Sequence, residues 1–485
     1  MIRALLAALL LVGLAPAPPL VRAAPAPRVV PATSSAPLGL ARAPALVLPA
    51  GPLAQTLSNA ESRAVESARD GRYDEAIALT SQLLDRDPDR LNSRLIRAMS
   101  YYYSSRLDEA LGDLDYTLAR VQDGTGRTLR ALVHLELGDY AAAVADAVDA
   151  LNTPDLPQEN LGAAYLTLGR VLLARGQLLE AAAYFRKVVD LPDTRNARAA
   201  RVALELVSAV PPAPPDLAAQ DAANGYQVLR LPGRVVQFQS DDGVTAAGAA
   251  SLAGLLDARL AAVAALVGAT YHGPVHLVIY KSGWELERAL GGRYRGPGLS
   301  RALRQGVRGA DGTWRQYVHV AATDPSLLFD LTHEALHLVQ AEVGLDETFG
   351  NVPAWLIEGH AEHVALTTLQ DTAPASVALR LAQRNGGVSA AARAGRLLPL
   401  RELESFADWS RAQARDAEQA YGQALYAATL LGSRYGYDAA LRVLAAVQAG
   451  APFDAAFLAT TGVTPDAFDA DALAYTRQQV RDGDQ

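Results

Sequence analysis

The order of apolar and polar positions divides the chain into a repetitive first part and a mixed second part. Alanines at 76, 110, 143 and 181 follow short turn segments that begin with Gly or Ser, so the spacings are 34, 33 and 38 residues. This period predicts about four helix–turn–helix units over residues 58–210, because stacked units share a core that a single unit cannot bury. The proline-rich stretch 211–215 then ends the array.

After residue 216 the pattern changes between strand and helix signals. Alternating or β-rich runs predict strands over 233–239, 275–280 and 314–321, and an Ala/Leu-rich run predicts a helix over 244–267. Further helices are predicted over 326–343, from Pro353 onward, and over 417–434, 438–448, 454–460 and 466–480. The pattern therefore predicts a multidomain protein: an all-α array over 58–210, then an α+β domain over 216–485 with a helical C-terminal subdomain.

The N-terminal stretch has the features of a targeting segment. Arg3, an apolar run over 4–14 and small residues near Ala23 predict a signal peptide over residues 1–23, with an uncleaved anchor as the alternative. Residues 24–57 are rich in proline and alanine and predict an extended linker. We expect an exported protein, in the periplasm, the cell envelope or the medium, with no membrane span once the signal is removed because no other stretch has the length and hydropathy.

Composition narrows the possible partners. The chain has 44 basic and 52 acidic residues, a net charge of −8, and no basic run, which argues against nucleic acid as a partner. It has no cysteine, so disulfides, thiolate chemistry and a lipoprotein attachment cysteine are all excluded. Folding must rely on packing alone.

A possible metal site lies in the predicted helix 326–343. His333, Glu334 and His337 form the pattern HExxH. Positions four apart lie on one face of a helix, so both imidazoles can bind one Zn²⁺ at about 2.0–2.1 Å, and Glu334 can act as a general base toward water. A catalytic zinc has three protein ligands and an open position, and Glu358 on the next helix can be the third. The alternative is two histidines that each make an ordinary hydrogen bond.

The segment that follows resembles a known family. Residues 355–361 read WLIEGHA, similar to the WLxEGxA stretch of the peptidase MA-like gluzincins, zinc peptidases in which HExxH is followed by a Glu ligand on the next helix. The resemblance implies a zincin-like domain in which Glu358 is the third ligand and Glu362 holds the second nitrogen of a ligand histidine. Glu362, His360 and His363 remain alternatives for the third ligand.

The resemblance extends to a tyrosine and to a strand. Residues 420–426 are similar to the place where peptidase MA-like chains carry a tyrosine that donates to the oxyanion, which implies that role for Tyr421, with Tyr426 as second choice. A tyrosine packed in a helical core is the alternative. In zincins the strand before the metal helix, here 314–321, lies at the sheet edge and can pair with an extended substrate.

These features together predict an exported zinc metallopeptidase. The period of the array resembles the tetratricopeptide repeat, which implies a groove that recruits a protein substrate or partner; a structural spacer is the alternative. No GxMEN-like segment precedes His333, which favours an endopeptidase over an aminopeptidase. Removing residues 58–210 is expected to spare cleavage of short peptides. The alternative function is a non-catalytic scaffold for binding or envelope assembly.

Overall fold

The computed structural model of the protein describes residues 57–191, 195–215, 217–222, 225–241, 243–290, 303–308, 314–344 and 352–483. The predicted signal peptide over 1–23 and the predicted linker, apart from residue 57, lie outside the described residues.

The first part of the described chain is a helical repeat array. Its helices are α1 (Asn59–Arg69), α2 (Tyr73–Arg86), α3 (Leu91–Tyr103), α4 (Leu107–Leu118), α5 (Gly124–Glu136), α6 (Tyr140–Leu151), α7 (Gln158–Ala174), α8 (Leu178–Val189) and α9 (Arg195–Ala209). Each of the four helix pairs turns through a left-handed residue: Gly71, Ser105, Gly138 and Gly176, with φ of 78°, 65°, 78° and 72°. These are the four turn positions that the sequence period aligned, so the N-terminal repeat region is confirmed. The additional helix α9 closes the array.

The second part contains one mixed sheet within the described residues. Its strands are β1 (Ala219–Asp221), β2 (Tyr226–Leu231), β3 (Arg234–Gln239), β4 (Val275–Tyr280), β5 (Leu303–Arg308) and β6 (Trp314–Ala321), in the order β1-β2-β3-β4-β6-β5. The pairs β3–β4 and β4–β6 are parallel, and the other pairs are antiparallel.

The expected edge position of strand 314–321 is wrong. This strand is β6, and it lies between β4 and β5. The described sheet has two edge strands, β1 and β5. The edge strand next to β6 is β5, which the sequence analysis did not predict. It folds back antiparallel on β6 and thereby covers the edge that β6 would otherwise expose.

Helices pack on the sheet and follow it to the C-terminus. They are α10 (Ala246–Val267), α11 (Gly283–Ala289), α12 (Leu327–Val343), α13 (Ala354–Leu369), α14 (Pro374–Arg393), α15 (Phe406–Tyr435), α16 (Ala439–Gln448), α17 (Phe453–Thr461) and α18 (Pro465–Gly483). Helix α15 is interrupted at Asp416, where φ is −159° and ψ is 97°, so the predicted helix 417–434 corresponds to its second segment. Helices α11 and α14 were not predicted.

Helix α10 corrects the expectation about membrane spans. It is long and apolar enough to cross a membrane by length and composition, and half of its most apolar window is buried inside the protein. The helix packs against β2, β3, α12 and α13. Its apolar residues therefore contribute to the central core. A helix buried in a protein core can be as apolar as one that spans a membrane.

Two hydrophobic cores meet along α13. Trp355, Leu356 and Ile357, at its start, belong to a core formed with α15 to α18. Val364 and Leu366, toward its end, belong to a core that contains the sheet, α10, α12 and the last helices of the array. The middle of α13 therefore lies where the two cores meet.

The array is joined to the sheet domain by packing and by polar contacts. The Nε atom of Arg170 donates to the carbonyl of Thr323 at 2.6 Å, in the turn that leads into α12. The hydroxyl of Tyr140 donates to the carbonyl of Lys281. At the turn after α7, a Cβ on Gly176 would lie 2.7 Å from the backbone nitrogen of Gly248, so the two segments touch backbone to backbone. The array therefore packs directly against the sheet domain and shares a hydrophobic core with it.

Candidate metal centre

Helix α12 brings the two predicted imidazoles together. Every residue from Leu327 to Gln340 is buried, as expected for a helix with few polar positions. One turn separates His333 from His337, and their Nε2 atoms lie 3.0 Å apart. Each histidine keeps 7% of its surface exposed, so a small part of the pair reaches solvent within the buried run of the helix.

Helix α13 brings Glu358 to the same point. Its Oε2 atom lies 3.4 Å from His333 Nε2 and 3.7 Å from His337 Nε2. Helix α13 packs closely against α15 because Gly359 has no Cβ. A Cβ at this position would collide with the carbonyl oxygen of Ala424 on α15. The glycine of the WLIEGHA segment thus allows the close approach of two helices beside the carboxylate.

The three donor atoms have the spacing that a zinc ion requires. In a tetrahedral site with bonds of about 2.0–2.1 Å, neighbouring donor atoms lie roughly 3.3–3.4 Å apart. The distances of 3.0, 3.4 and 3.7 Å bracket that value. Within the described residues, His333, His337 and Glu358 form the group of side chains able to hold a metal ion. Two imidazoles and one carboxylate leave a fourth position open, so the residues fit a catalytic zinc.

The electrostatics of the group suit a divalent cation. Burial alone would raise the pKa of Glu358, but the imidazoles of His337 and His333 outweigh this and hold that pKa well below its usual range. Burial lowers the pKa of His333, but Glu358, Glu334 and Glu362 outweigh it and leave the pKa raised. Without metal, the carboxylate is therefore charged and attracts a proton onto the imidazole. A bound cation would take the place of that proton.

The other candidates for the third ligand lie elsewhere on α13. His360 points its Nε2 atom to the carbonyl of Tyr437, at 2.8 Å. His363 has its Nδ1 atom 3.2 Å from the hydroxyl oxygen of Thr429 and stacks on the Tyr437 ring. Burial lowers the pKa of His360 to about 4 and that of His363 to about 3, so both imidazoles are neutral. Neither is part of the three-donor group.

Glu362 lies behind His333 and is held by arginines. Its Oε1 atom is 3.6 Å from His333 Nδ1, which is too long for a hydrogen bond. Arg384 donates to both of its oxygens, at 3.0 and 2.7 Å, and Arg380 Nη1 lies 4.0 Å away. Burial would raise the pKa of Glu362, but the two guanidinium groups lower it to about 2. The carboxylate therefore stays charged beside the imidazole.

The carboxylate of Glu334 contacts the edge strand. Its Oε2 atom accepts a hydrogen bond from the backbone N–H of Arg304 on β5, at 2.8 Å. Glu334 is 7% exposed, like the neighbouring histidines. One oxygen is therefore fixed by backbone, which holds the side chain in a single orientation at the open side of β5.

The two tyrosines of α15 occupy different environments. The ring of Tyr421 lies 6.4 Å from the His333 ring, between centroids, and packs edge-on against Trp409 at 5.0 Å. The hydroxyl of Tyr426 donates to the Asn385 side chain at 2.6 Å. Of the two, Tyr421 is the residue that contacts a member of the three-donor group.

Sequence reasoning missed three residues that support the site. Gln340 lies one turn after His337 on α12, a spacing that could have indicated contact with the ligand. Arg380 and Arg384 lie one turn apart on α14, but only the fold brings this helix to Glu362.

We expect Arg384→Met to lower the free energy of unfolding by about 3–5 kcal/mol, because it leaves the buried Glu362 without its bidentate partner. Urea unfolding of the metal-free protein measures this loss. Arg442→Met is the matched control: Arg442 and Asp438 form an exposed pair, 45% and 48% accessible, so its loss should cost about 1 kcal/mol or less. Equal stability of the two variants would show that the Glu362–Arg384 pair contributes little.

Comparison with known proteins supports the repeat array. Residues 162–194 match the family described as tetratricopeptide repeat, and this segment contains most of α7 and all of α8. No curated protein matches the chain. Repeats of this type generally bind protein partners. The chain thus contains a tetratricopeptide repeat within its N-terminal helical region.

Proposed function

We propose that the protein is an exported zinc-dependent metallopeptidase, with a zincin-like domain of the gluzincin type, that cleaves internal peptide bonds. The observation that carries the proposal is the distance set of 3.0, 3.4 and 3.7 Å between His333 Nε2, His337 Nε2 and Glu358 Oε2. Three ligands of this kind with an open fourth position are typical of catalytic rather than structural zinc.

Each remaining part of the site has a role in peptide hydrolysis. When bound, zinc supplies a Lewis acid that polarises water and the scissile carbonyl. Glu334 removes a proton from the attacking water through Oε1, since Oε2 is occupied by Arg304, and returns the proton to the leaving amine. The Tyr421 hydroxyl donates a hydrogen bond to the oxyanion. The charge of Glu362 favours a proton on His333 Nδ1, which leaves the Nε2 lone pair for the metal.

The edge strand β5 is the proposed binding surface for the substrate backbone. The Arg304 N–H bonds Glu334 and therefore points away from β6. In an antiparallel pair the outward-facing groups recur at every second residue, so Gly306 and Arg308 also present their backbone groups outward. An extended peptide that pairs with β5 would pass directly beside Glu334. Backbone pairing of this kind places few demands on substrate side chains.

The repeat array is proposed to recruit a protein substrate or partner, because tetratricopeptide repeats generally bind proteins. The second candidate function is a binding or envelope assembly scaffold that lacks catalysis. The array is compatible with this role as well, since tetratricopeptide repeats generally bind protein partners. Glu334 counts against it: a scaffold has no need for a carboxylate fixed at an open strand edge beside the metal ligands.

Metal content and chelation test the proposed function. Purified protein is expected to bind about one zinc per chain and to cut an N-terminally acetylated peptide internally. Removal of zinc by a chelator should abolish cleavage, and added zinc should restore it. His337→Ala should lose both zinc and cleavage, whereas His272→Ala, at a side chain 73% exposed and bonded to Glu342, should keep both.

Two results would contradict the proposal in different ways. If the wild-type protein takes up no zinc, the proposed metal site is wrong. A zinc-loaded protein that leaves acetylated peptides and unfolded proteins intact would favour the scaffold.

A further inference from the structure

A relay of hydrogen bonds runs from His337 through Gln340 and His360 to the backbone between α15 and α16. His337 Nδ1 lies 2.7 Å from Gln340 Oε1, and Gln340 Nε2 lies 3.3 Å from His360 Nδ1. His360 Nε2 lies 2.8 Å from the carbonyl oxygen of Tyr437, between α15 and α16. Gln340 has no exposed surface, and His360 is 3% exposed. The hydrogen bonds that join His337, Gln340 and His360 are therefore shielded from water, and the bond to Tyr437 is partly buried.

The direction of every hydrogen bond in this chain follows from its far end. The Tyr437 carbonyl can only accept, so His360 Nε2 must carry the proton. A neutral imidazole protonated at Nε2 has a lone pair at Nδ1, which accepts from the Gln340 amide. The amide oxygen of Gln340 then faces His337 Nδ1 and accepts its proton.

A second carbonyl fixes the orientation of the Gln340 amide. Gln340 Nε2 also donates to the carbonyl of Ile357, at 3.2 Å. Turning the amide over would place its oxygen against that carbonyl and against the lone pair of His360. Two backbone carbonyls, Ile357 and Tyr437, thus determine the same arrangement independently.

We propose that Gln340 and His360 are positioning residues that hold His337 as the tautomer protonated at Nδ1, with the Nε2 lone pair directed at zinc. This inference rests on the proposed function. It assigns the residue that orients the second histidine ligand, as Glu362 is assigned to the first. The relay differs from the Glu362 contact because it consists of neutral groups and is anchored on backbone from α13 and from the α15–α16 junction.

If Gln340 orients His337, the affinity of the protein for zinc must depend on Gln340. Partners behind a metal-bound histidine typically change metal affinity by about 10–100-fold when they are lost. His337 Nδ1 makes a hydrogen bond of 2.7 Å, whereas His333 Nδ1 has its carboxylate at 3.6 Å. The orientation of His337 therefore depends on one amide, and a residue of equal length without hydrogen-bonding groups should free the ring.

The experiment measures the zinc dissociation constant of the full chain by competition with a fluorescent chelator. Gln340→Met should weaken zinc binding by about 10–100-fold. His360→Phe should shift it in the same direction, whereas His360→Asn should stay nearer to wild type, because the amide oxygen of asparagine can replace Nδ1 as acceptor. The visible spectrum of cobalt-substituted protein should change in Gln340→Met and His360→Phe, since it reports the ligand arrangement.

A matched control separates orientation from helix stability. Thr332→Val removes another buried hydrogen bond on α12, from the Thr332 hydroxyl to the Leu328 carbonyl, without touching the relay, and should leave zinc affinity unchanged. Wild-type affinity in Gln340→Met, or equal loss in Thr332→Val, would overturn the relay. Wild-type protein without zinc would instead overturn the proposed function, so the two failures are distinguishable.

Discussion

Glu334→Gln is expected to abolish peptide cleavage while zinc stays bound. The change removes the proton acceptor but keeps the size of the side chain, and the amide oxygen of glutamine can still accept the Arg304 N–H. General base catalysis contributes about 10²–10⁴-fold, so kcat/KM on an internally quenched peptide should fall by at least about 10²-fold. Zinc content per chain, measured on the same sample, should equal that of wild type because Glu334 is not a ligand.

The same substitution elsewhere on α12 provides the control. Glu342→Gln changes a half-exposed carboxylate on this helix that contacts His272, and it should leave kcat/KM unchanged. Wild-type cleavage by Glu334→Gln would show that another group takes the proton. Loss of zinc in Glu334→Gln would show that the carboxylate supports the metal rather than the water.

Deletion of residues 58–210 is expected to unfold the sheet domain. This replaces the expectation, drawn from the repeat period, that a shortened chain would still cleave short peptides. Val171, Phe185 and Leu206 belong to the same core as the sheet and α12. Each large apolar side chain loses about 1.5–3 kcal/mol when it loses its burial, and whole domains are stable by only about 5–15 kcal/mol. Removing several such side chains together exceeds that margin.

A shorter deletion is the matched control. Removing α1 and α2 affects a separate core that is formed mainly by α1 to α5, and stacked repeats contact mainly their neighbours. This variant should stay soluble, melt cooperatively by circular dichroism and bind zinc, whereas the 58–210 deletion should aggregate or melt without a transition. A chain without the array that folds, binds zinc and cleaves short peptides would contradict the shared core.

The contacts between the array and the sheet domain indicate a structural role for the array. Arg170 bonds the Thr323 carbonyl only a few residues before the metal helix begins at Leu327. Glu205 on α9 accepts from the backbone nitrogens of Ala375 and Ser376, at 2.6 and 2.7 Å, and so caps α14, the helix that carries Arg384. The array therefore contacts the start of the metal helix and the helix behind Glu362, in addition to any partner that it recruits.

Much of the secondary structure followed from sequence because its causes are local. The strands 275–280 and 314–321 have the predicted bounds, and the predicted helix 244–267 differs from α10 by two residues. The four repeat turns were found because a left-handed turn residue and a small alanine recur with one period. The pairing of His333 with His337 was also local, since the helical repeat alone brings residues four apart onto one face.

Only the tertiary structure decided which groups join that pair. Glu358, His360, Glu362 and His363 all lie within two turns of α13. Spacing alone could not choose between them, and Glu358 was preferred because residues 355–361 resemble the WLxEGxA stretch. The choice follows from packing: one face of α13 meets α12, and the close contact at Gly359 brings in α15, so Glu358 alone of the four joins the two imidazoles. The same holds for the contact of β5 with Glu334, for that of Gln340 with His360 and for the core that the array shares with the sheet. The partners in these contacts are distant in sequence, and such contacts depend on how whole elements pack, which a local pattern of residues does not encode.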